Sequence, residues 1–158
     1  MIELSSFRDL KKVGGEKIRI KSVGIDIGSS TFHLVFSNLY LRGHVSDVYD
    51  KSGSEIKRIK YDVAEREIEY LSDVILTPYR NAHTIDVKKL SDGLFNFYKK
   101  AGVSPKDIDV GAVIITGEAA KKENAEGIVE LFSKESGKFV CATAGPKFEA
   151  ILSAHGSG

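Results

Sequence analysis

Two short apolar runs separated by small residues dominate the N-terminal part of the chain. The runs cover residues 23–27 and 32–36, and the residues between them are one glycine, two serines and one threonine. Strand-like runs joined by such a turn are typical of a β-hairpin. The pattern therefore predicts that a hairpin forms the first two strands, and the alternation upstream allows the first strand to begin as early as Lys17.

The first strand of this hairpin has an apolar face and an unusual second face. Side chains alternate along a strand, so Val23, Ile25 and Ile27 share one face, whereas Gly24 and Asp26 share the other. An ionised carboxylate between two isoleucines costs several kcal/mol if it is buried without a partner. Asp26 is therefore expected to face something charged, and the glycines leave room for a ligand close to the backbone.

The turn itself supplies hydroxyl groups and backbone amides, which are typical of a cradle for phosphate oxygens. Its residues are Gly28, Ser29, Ser30 and Thr31. The pattern predicts a hairpin that binds phosphate and Mg²⁺, with Asp26 holding the metal through water, because Mg²⁺ tends to keep several waters. The alternative is a structural hairpin whose Asp26 caps its own turn.

The middle of the chain changes from strand-like to helical spacing. Residues 45–54 are turn-rich and are predicted to interrupt the strands, after which residues 55–63 and 65–70 alternate in the manner of exposed edge strands. A short apolar strand at 74–77 follows. Apolar residues over Val87–Ala101 then recur at helical spacing, which predicts a helix capped by Thr84 or Asp86 and ended by Gly102.

The last third alternates buried strands with helices. Val110–Thr116 and residues 139–143 are typical of buried parallel strands, with helices predicted at 118–124, at 125–136 and from Pro146 onward. The element order predicts an α/β fold. Its mixed sheet has an antiparallel second strand, followed by right-handed parallel crossovers with helices on both faces.

Composition narrows the function classes. The 158 residues fit a single domain, and a net charge of +1 offers no electrostatic footprint for nucleic acid. No apolar run approaches the roughly 20 residues of a membrane span. Cys141 is the single cysteine and has no internal disulfide partner, so a reducing, cytoplasmic location is expected.

Ligands bind open α/β sheets at the carboxyl ends of strands, where three loops of this chain are predicted to lie. Besides the hairpin turn, these loops contain Glu118 and Gly145. Glu118 is a candidate for orienting a water in phosphoryl transfer, or an acidic first-turn residue that stabilises a helix start. Gly145 either permits close approach of a bound nucleotide or only enables a turn.

The motif D-x-G-x-x-T within SVGIDIGSST resembles the first phosphate motif of the actin, sugar-kinase and heat-shock-chaperone ATPase superfamily, which is built on ribonuclease-H-like domains. The segments SDVILTP, AVIITGEAAKKENA, FVCATAGP and FEAILSAHG extend the likeness. From about Ser22 to the last residue, the chain resembles the N-terminal part of the ethanolamine ammonia-lyase reactivating factors.

This resemblance implies a chaperone-like ATPase that releases damaged cobalamin from the adenosylcobalamin-dependent lyase. It implies ATP or ADP and Mg²⁺ as cofactors, the lyase as partner, and a cytoplasmic location with a bacterial microcompartment as a further setting. It also implies that Asp26 and the four turn residues Gly28, Ser29, Ser30 and Thr31 form the phosphate motif.

The expected domain organisation is an N-terminal extension over residues 1–21, partly ordered, and one ribonuclease-H-like ATPase domain over residues 22–158. The superfamily clamps nucleotide between two such domains, but this chain has no second D-x-G hairpin. We therefore expect half of a clamp that lacks a C-terminal second domain. ATPase activity is expected of the full-length family protein, whereas the domain alone is expected to be inactive, because closure excludes water and positions the phosphate.

Two other function classes stay open. One is a protein-interaction domain that docks the lyase and does no chemistry. The other is a ribonuclease-H-type nuclease or resolvase, which needs several carboxylates around two metals. The last predicted helix offers only Glu149, and the near-neutral charge disfavours a nucleic-acid channel.

Overall fold

The structure is a computed structural model that describes residues 12–13, 17–49, 55–136 and 139–144. The helix predicted from Pro146 lies outside the described residues, as do Gly145 and most of the predicted extension. The first long strand begins at Lys17, which is the earliest start that the sequence pattern allows.

Five strands form the main sheet, and two-residue strands pair at its margins. The strands are β1 (Lys12–Val13), β2 (Lys17–Ile27), β3 (Thr31–Tyr49), β4 (Glu55–Leu71), β5 (Ile75–Leu76), β6 (Val110–Thr116) and β7 (Phe139–Ala144). The main sheet has the order β4-β3-β2-β6-β7, while β1 pairs with β2 and β5 pairs with β3. Strand β3 runs antiparallel to both of its neighbours, β2 and β4, whereas β6 runs parallel to β2 and β7 parallel to β6.

The helices connect these strands in the predicted order. They are α1 (Val87–Ala101), α2 (Gly117–Ala120) and α3 (Ala125–Ser136), with a short 3-10 turn at Pro105–Asp107. An antiparallel hairpin followed by parallel strands added at the other edge of β2 is the topology of a ribonuclease-H-like domain. The predicted fold class, a mixed α/β sheet with an antiparallel second strand, is confirmed. Helices on both faces stay a prediction, because the helix expected from Pro146 lies outside the described residues.

Helix α1 owes its bounds to local chemistry at both ends. The side chain of Asp86 accepts a hydrogen bond from the Lys89 backbone amide at 3.1 Å, so Asp86 is the cap. The other candidate, Thr84, donates its hydroxyl to the Asn81 side chain instead. Gly102 follows the helix with a φ of 66°, a conformation that glycine adopts without steric cost.

The hydrophobic core lies between one face of the sheet and two helices. This face, called the core face here, carries Val23, Ile25 and Ile27 of β2. The core also contains Phe32, Leu34 and Phe36 of β3 and Val113 and Ile115 of β6. The helices contribute Leu90, Leu94 and Phe97 of α1 and Ile128 of α3. Both α1 and α3 therefore pack against the same side of the sheet.

The opposite face carries Gly24 and Asp26 and is called the Asp26 face here. The strand register places Val35 and Ala112 on either side of Gly24, and Val140 beyond Ala112. These residues line a shallow groove of about 430 Å³. Large apolar side chains on this face are exposed, and Val140 is an example.

The prediction that residues 45–54 interrupt the strands is wrong for residues 45–49, while residues 50–54 lie outside the described residues. Strand β3 continues to Tyr49 and β4 begins at Glu55, with Val45 opposite Ile59. Gly43 lies within β3 and does not end it. A Cβ at this position would approach the Tyr61 ring to 3.0 Å, so the glycine makes room for that ring. The predicted gap between residues 63 and 65 is a bulge in a continuous β4.

The helix predicted over 118–124 is shorter than expected, because α2 ends at Ala120. The following residues turn instead, and the side chain of Asn124 pairs with the backbone of Ile85. The Ile85 amide donates to Asn124 Oδ1 at 3.0 Å, and Asn124 Nδ2 donates to the Ile85 carbonyl at 2.8 Å. These two hydrogen bonds hold the loop before α1 against the segment before α3.

Candidate functional site

The turn between β2 and β3 is closed by a backbone hydrogen bond from the Gly28 amide to the Thr31 carbonyl at 2.9 Å. Ser29 and Ser30 at its tip are exposed. Within the described part of the chain, their backbone amides donate no hydrogen bond. Two neighbouring exposed amides at the tip of a turn form the kind of concavity that binds anions.

The turn contacts the start of α2 directly. The Glu118 backbone amide donates to Ser29 Oγ at 2.8 Å. Gly117 makes this contact possible, because its φ is 57° and a Cβ there would lie 2.2 Å from Ser29 Oγ. The structure thus brings together two of the three loops that the strand-end rule predicts to meet, whereas Gly145 lies outside the described residues.

The side chain of Glu118 is exposed and paired with Lys121, whose Nζ lies 2.5 Å from Glu118 Oε1. The hydrogen bond and the positive charge of Lys121 lower the pKa of the Glu118 carboxyl below its ordinary value. Glu118 is therefore ionised at neutral pH, so it is able to accept a proton or orient a water but not to act as an acid.

Asp26 lies near the end of β2, half-buried on the Asp26 face. Its register partners are His33 on β3 and Ile114 on β6. No group of three or more His, Cys, Asp or Glu side chains in the described ranges could hold a metal ion. A single carboxylate of this kind suits a Mg²⁺ ion that keeps most of its waters and takes its other ligands from phosphate.

Sequence reasoning missed two residues that hold the turn, Thr77 and Tyr79. The Thr77 hydroxyl donates to the Gly28 carbonyl at 2.8 Å, and the Thr77 amide donates to the Ser30 carbonyl at 2.9 Å. The Tyr79 hydroxyl donates to the Ser29 carbonyl at 2.7 Å. The signal that could have found them is the short strand before Pro78, since a strand that pairs with the start of β3 delivers the following residues to the turn.

Tyr79 also links the turn to the segment after α2. Lys122 Nζ lies 5.2 Å from the centroid of the Tyr79 ring, within reach of a cation–π interaction, and donates to the Ala82 carbonyl at 2.8 Å. Burial raises the pKa of the Tyr79 hydroxyl, and the negative charge of Glu118 raises it further. The hydroxyl therefore stays protonated and remains a hydrogen-bond donor at neutral pH.

The sheet order and the glycine-serine turn between β2 and β3 define an actin-like, ribonuclease-H-like domain. The profile of the family described as ethanolamine utilisation protein EutA matches residues 18–158, so the chain belongs to this family. The predicted resemblance to the reactivating factors is confirmed.

Two curated relatives are both described as ethanolamine ammonia-lyase reactivase EutA. The protein of Escherichia coli K12 is 38% identical over 140 residues, and that of Salmonella typhimurium LT2 is 37% identical over the same length. The matched region covers 89% of this chain and 28% of each relative. The chain thus spans little more than a quarter of the length of the curated relatives it matches.

Solved structures with a related arrangement are more distant. A Ppx/GppA family member from Aquifex aeolicus has a TM-score of 0.43 at 15% identity, and the match covers 81% of this chain and 36% of the Aquifex chain. An exopolyphosphatase from Cytophaga hutchinsonii has a TM-score of 0.40 at 18% identity, and the match covers 84% of this chain and 36% of that protein's chain.

Among the described residues, no helix is both long and apolar enough to cross a membrane.

Proposed function

We propose that this chain is the N-terminal nucleotide-binding domain of a chaperone-like ATPase. In this proposal the whole protein reactivates adenosylcobalamin-dependent ethanolamine ammonia-lyase by releasing damaged cobalamin in the cytoplasm. Membership of the EutA family supports the reactivating role, since the curated relatives carry that description. The chain would supply one side of the nucleotide site, and a second domain the other.

The observation that carries the nucleotide assignment is the geometry of the turn. Its tip presents the amides of Ser29 and Ser30, while its carbonyl groups are turned away and bonded to Thr77 and Tyr79. Phosphate oxygens are the ligands that such amides suit. We assign phosphate binding to the residues Gly28, Ser29, Ser30 and Thr31.

Asp26 would hold Mg²⁺ through water, and the ion would neutralise charge on the phosphates. Glu118 would orient a water next to the turn, in keeping with its ionised side chain and with the contact between its backbone and Ser29. Gly145 would allow the nucleotide to approach the backbone.

The test is Asp26→Asn in the intact protein. Asparagine is nearly the same size and removes a charge from a half-buried position, so the melting temperature without nucleotide should stay level or rise. ATP-driven reactivation of the lyase should fall on the order of 100-fold, because an electrostatic contribution of several kcal/mol is lost. Calorimetry with and without Mg²⁺ and a reactivation assay measure the two effects.

Asp92→Asn is the matched control, because Asp92 is exposed on α1 and should affect neither measurement. An active but destabilised Asp26→Asn protein would show that Asp26 only caps its turn. If the chain is instead a domain that docks the lyase without binding nucleotide, both variants should keep full reactivation activity.

A further inference from the structure

The three carbonyl groups of Gly28, Ser29 and Ser30 are all bonded to one short segment, Thr77 to Tyr79. The donors are the Thr77 hydroxyl at 2.8 Å, the Tyr79 hydroxyl at 2.7 Å and the Thr77 amide at 2.9 Å, in that order along the turn. Each contact joins residues about 50 positions apart in the chain. One segment therefore determines the orientation of three successive peptide units.

A trans peptide unit is planar, and its carbonyl and amide groups point in opposite directions. The Gly28 carbonyl shares a peptide unit with the Ser29 amide, and the Ser29 carbonyl shares one with the Ser30 amide. Holding these carbonyls toward Thr77 and Tyr79 therefore directs both amides to the other side of the turn. Among the described residues these amides have no hydrogen-bond acceptor, so that side is available to a ligand.

The segment that holds the turn is itself fixed. Thr77 is 5% exposed, so its hydroxyl is held in a buried setting. Beyond Tyr79, the backbone of Ile85 makes two hydrogen bonds with the Asn124 side chain, and Lys122 lies over the Tyr79 ring. The segment is thus attached both to the sheet and to the residues between α2 and α3.

We propose that Thr77 and Tyr79 are positioning residues that hold the turn with the Ser29 and Ser30 amides directed at an anionic phosphate ligand. The proposal rests on the proposed nucleotide-binding function, which it deepens by assigning a role to two residues outside the phosphate motif. A rigid turn binds its ligand more tightly, because less ordering remains to be done on binding.

The first experiment needs no ligand. Backbone ¹⁵N relaxation of the 158-residue chain should show lower order parameters at Ser29 and Ser30 in Tyr79→Phe and Thr77→Val than in the wild type. Tyr40→Phe is the matched control, because it removes a tyrosine hydroxyl that is hydrogen-bonded to Glu67 on β4, away from the turn. Unchanged order parameters at the turn in both test variants would overturn the proposal.

The second experiment measures the Kd of MgADP in the intact protein. Tyr79→Phe and Thr77→Val should each bind about fivefold more weakly, the effect of one lost hydrogen bond. Thr77→Ser, which keeps the hydroxyl, should restore wild-type affinity, and Tyr40→Phe should not change it. Melting temperatures without nucleotide separate a loss of positioning from a general loss of stability.

Two failures remain distinguishable. If the wild type binds MgADP and the test variants bind it equally well, the positioning role is wrong while the proposed function stands. If the wild type shows no MgADP binding, the nucleotide assignment and the ligand named here are wrong, and relaxation still decides whether Thr77 and Tyr79 order the turn.

Discussion

The two faces of the sheet are built from the same strands but differ in what they allow. On the core face, Val113 and Ile115 are almost completely buried against α1 and α3. On the Asp26 face, neighbouring positions carry glycine, a carboxylate and exposed apolar side chains, and no described helix packs there. One face therefore stabilises the fold, which leaves the other free to carry the charge that the proposed function needs.

The largest expected effect comes from placing the same charge on each face. Val113→Asp puts a carboxylate at a position that is 1% exposed, so we expect a loss of at least about 4 kcal/mol in the free energy of unfolding. Val140→Asp makes the same change where the side chain is 59% exposed, and should cost no more than about 1 kcal/mol. Urea denaturation followed by circular dichroism measures both. Equal losses would mean that the Asp26 face is covered in the protein.

A smaller effect should follow from Tyr98, which lies on the core side with its ring 4.8 Å from that of Phe36. Burial raises the pKa of the Tyr98 hydroxyl to about 12. Its pKa in the unfolded chain is about 10, so the unfolded state loses the proton first and stability should fall between pH 10 and pH 12. Allowing for solvent screening, we expect a loss of about 1–2 kcal/mol over this range.

Tyr98→Phe removes this ionisation, so its stability should fall less steeply over the same range. Chemical denaturation at several alkaline pH values gives the two slopes. Identical slopes for the wild type and the variant would show that Tyr98 ionises alike in the folded and unfolded states.

The smallest effect on the free energy of unfolding is expected at the start of β2, which lies beyond the hydrophobic core. There Lys17 pairs with Glu65 at 3.2 Å, and both side chains are substantially exposed. Lys17→Met should change the free energy of unfolding by no more than about 0.5 kcal/mol, because exposed ion pairs contribute little. Denaturation at low and high salt measures it. A loss above about 1 kcal/mol would mean that this ion pair is less accessible to solvent than the structure shows.

Local chemistry explains which elements the sequence predicts well. Helix α1 has its predicted bounds, since apolar spacing, the Asp86 cap and Gly102 all lie within or beside it. Strand β6 was equally clear, because a continuous apolar run is visible without knowledge of its neighbours. The missed extension of β3 depends on pairing between Val45 and Ile59, which a polar stretch conceals in the sequence.

The same distinction applies to the candidate site. The glycine-serine turn and Asp26 stand in one short motif and were found from it. Thr77 and Tyr79 reach the turn from far along the chain and carry no motif of their own. The contact between Ser29 and the Glu118 amide follows from the strand-end rule, but its dependence on the conformation of Gly117 does not.

The contact between Ser29 and Glu118 has a consequence for the order of folding. It joins residues 89 positions apart, whereas the hairpin that carries Ser29 closes across a turn of a few residues. Contacts between distant residues carry a larger loop-closure cost and tend to form later than local ones. We therefore expect the hairpin to form early and the site to be completed only when β6 has docked beside β2. A partly folded chain would then hold the turn without the contacts that surround it, so the ligand proposed to bind there would be recognised only by the fully folded domain.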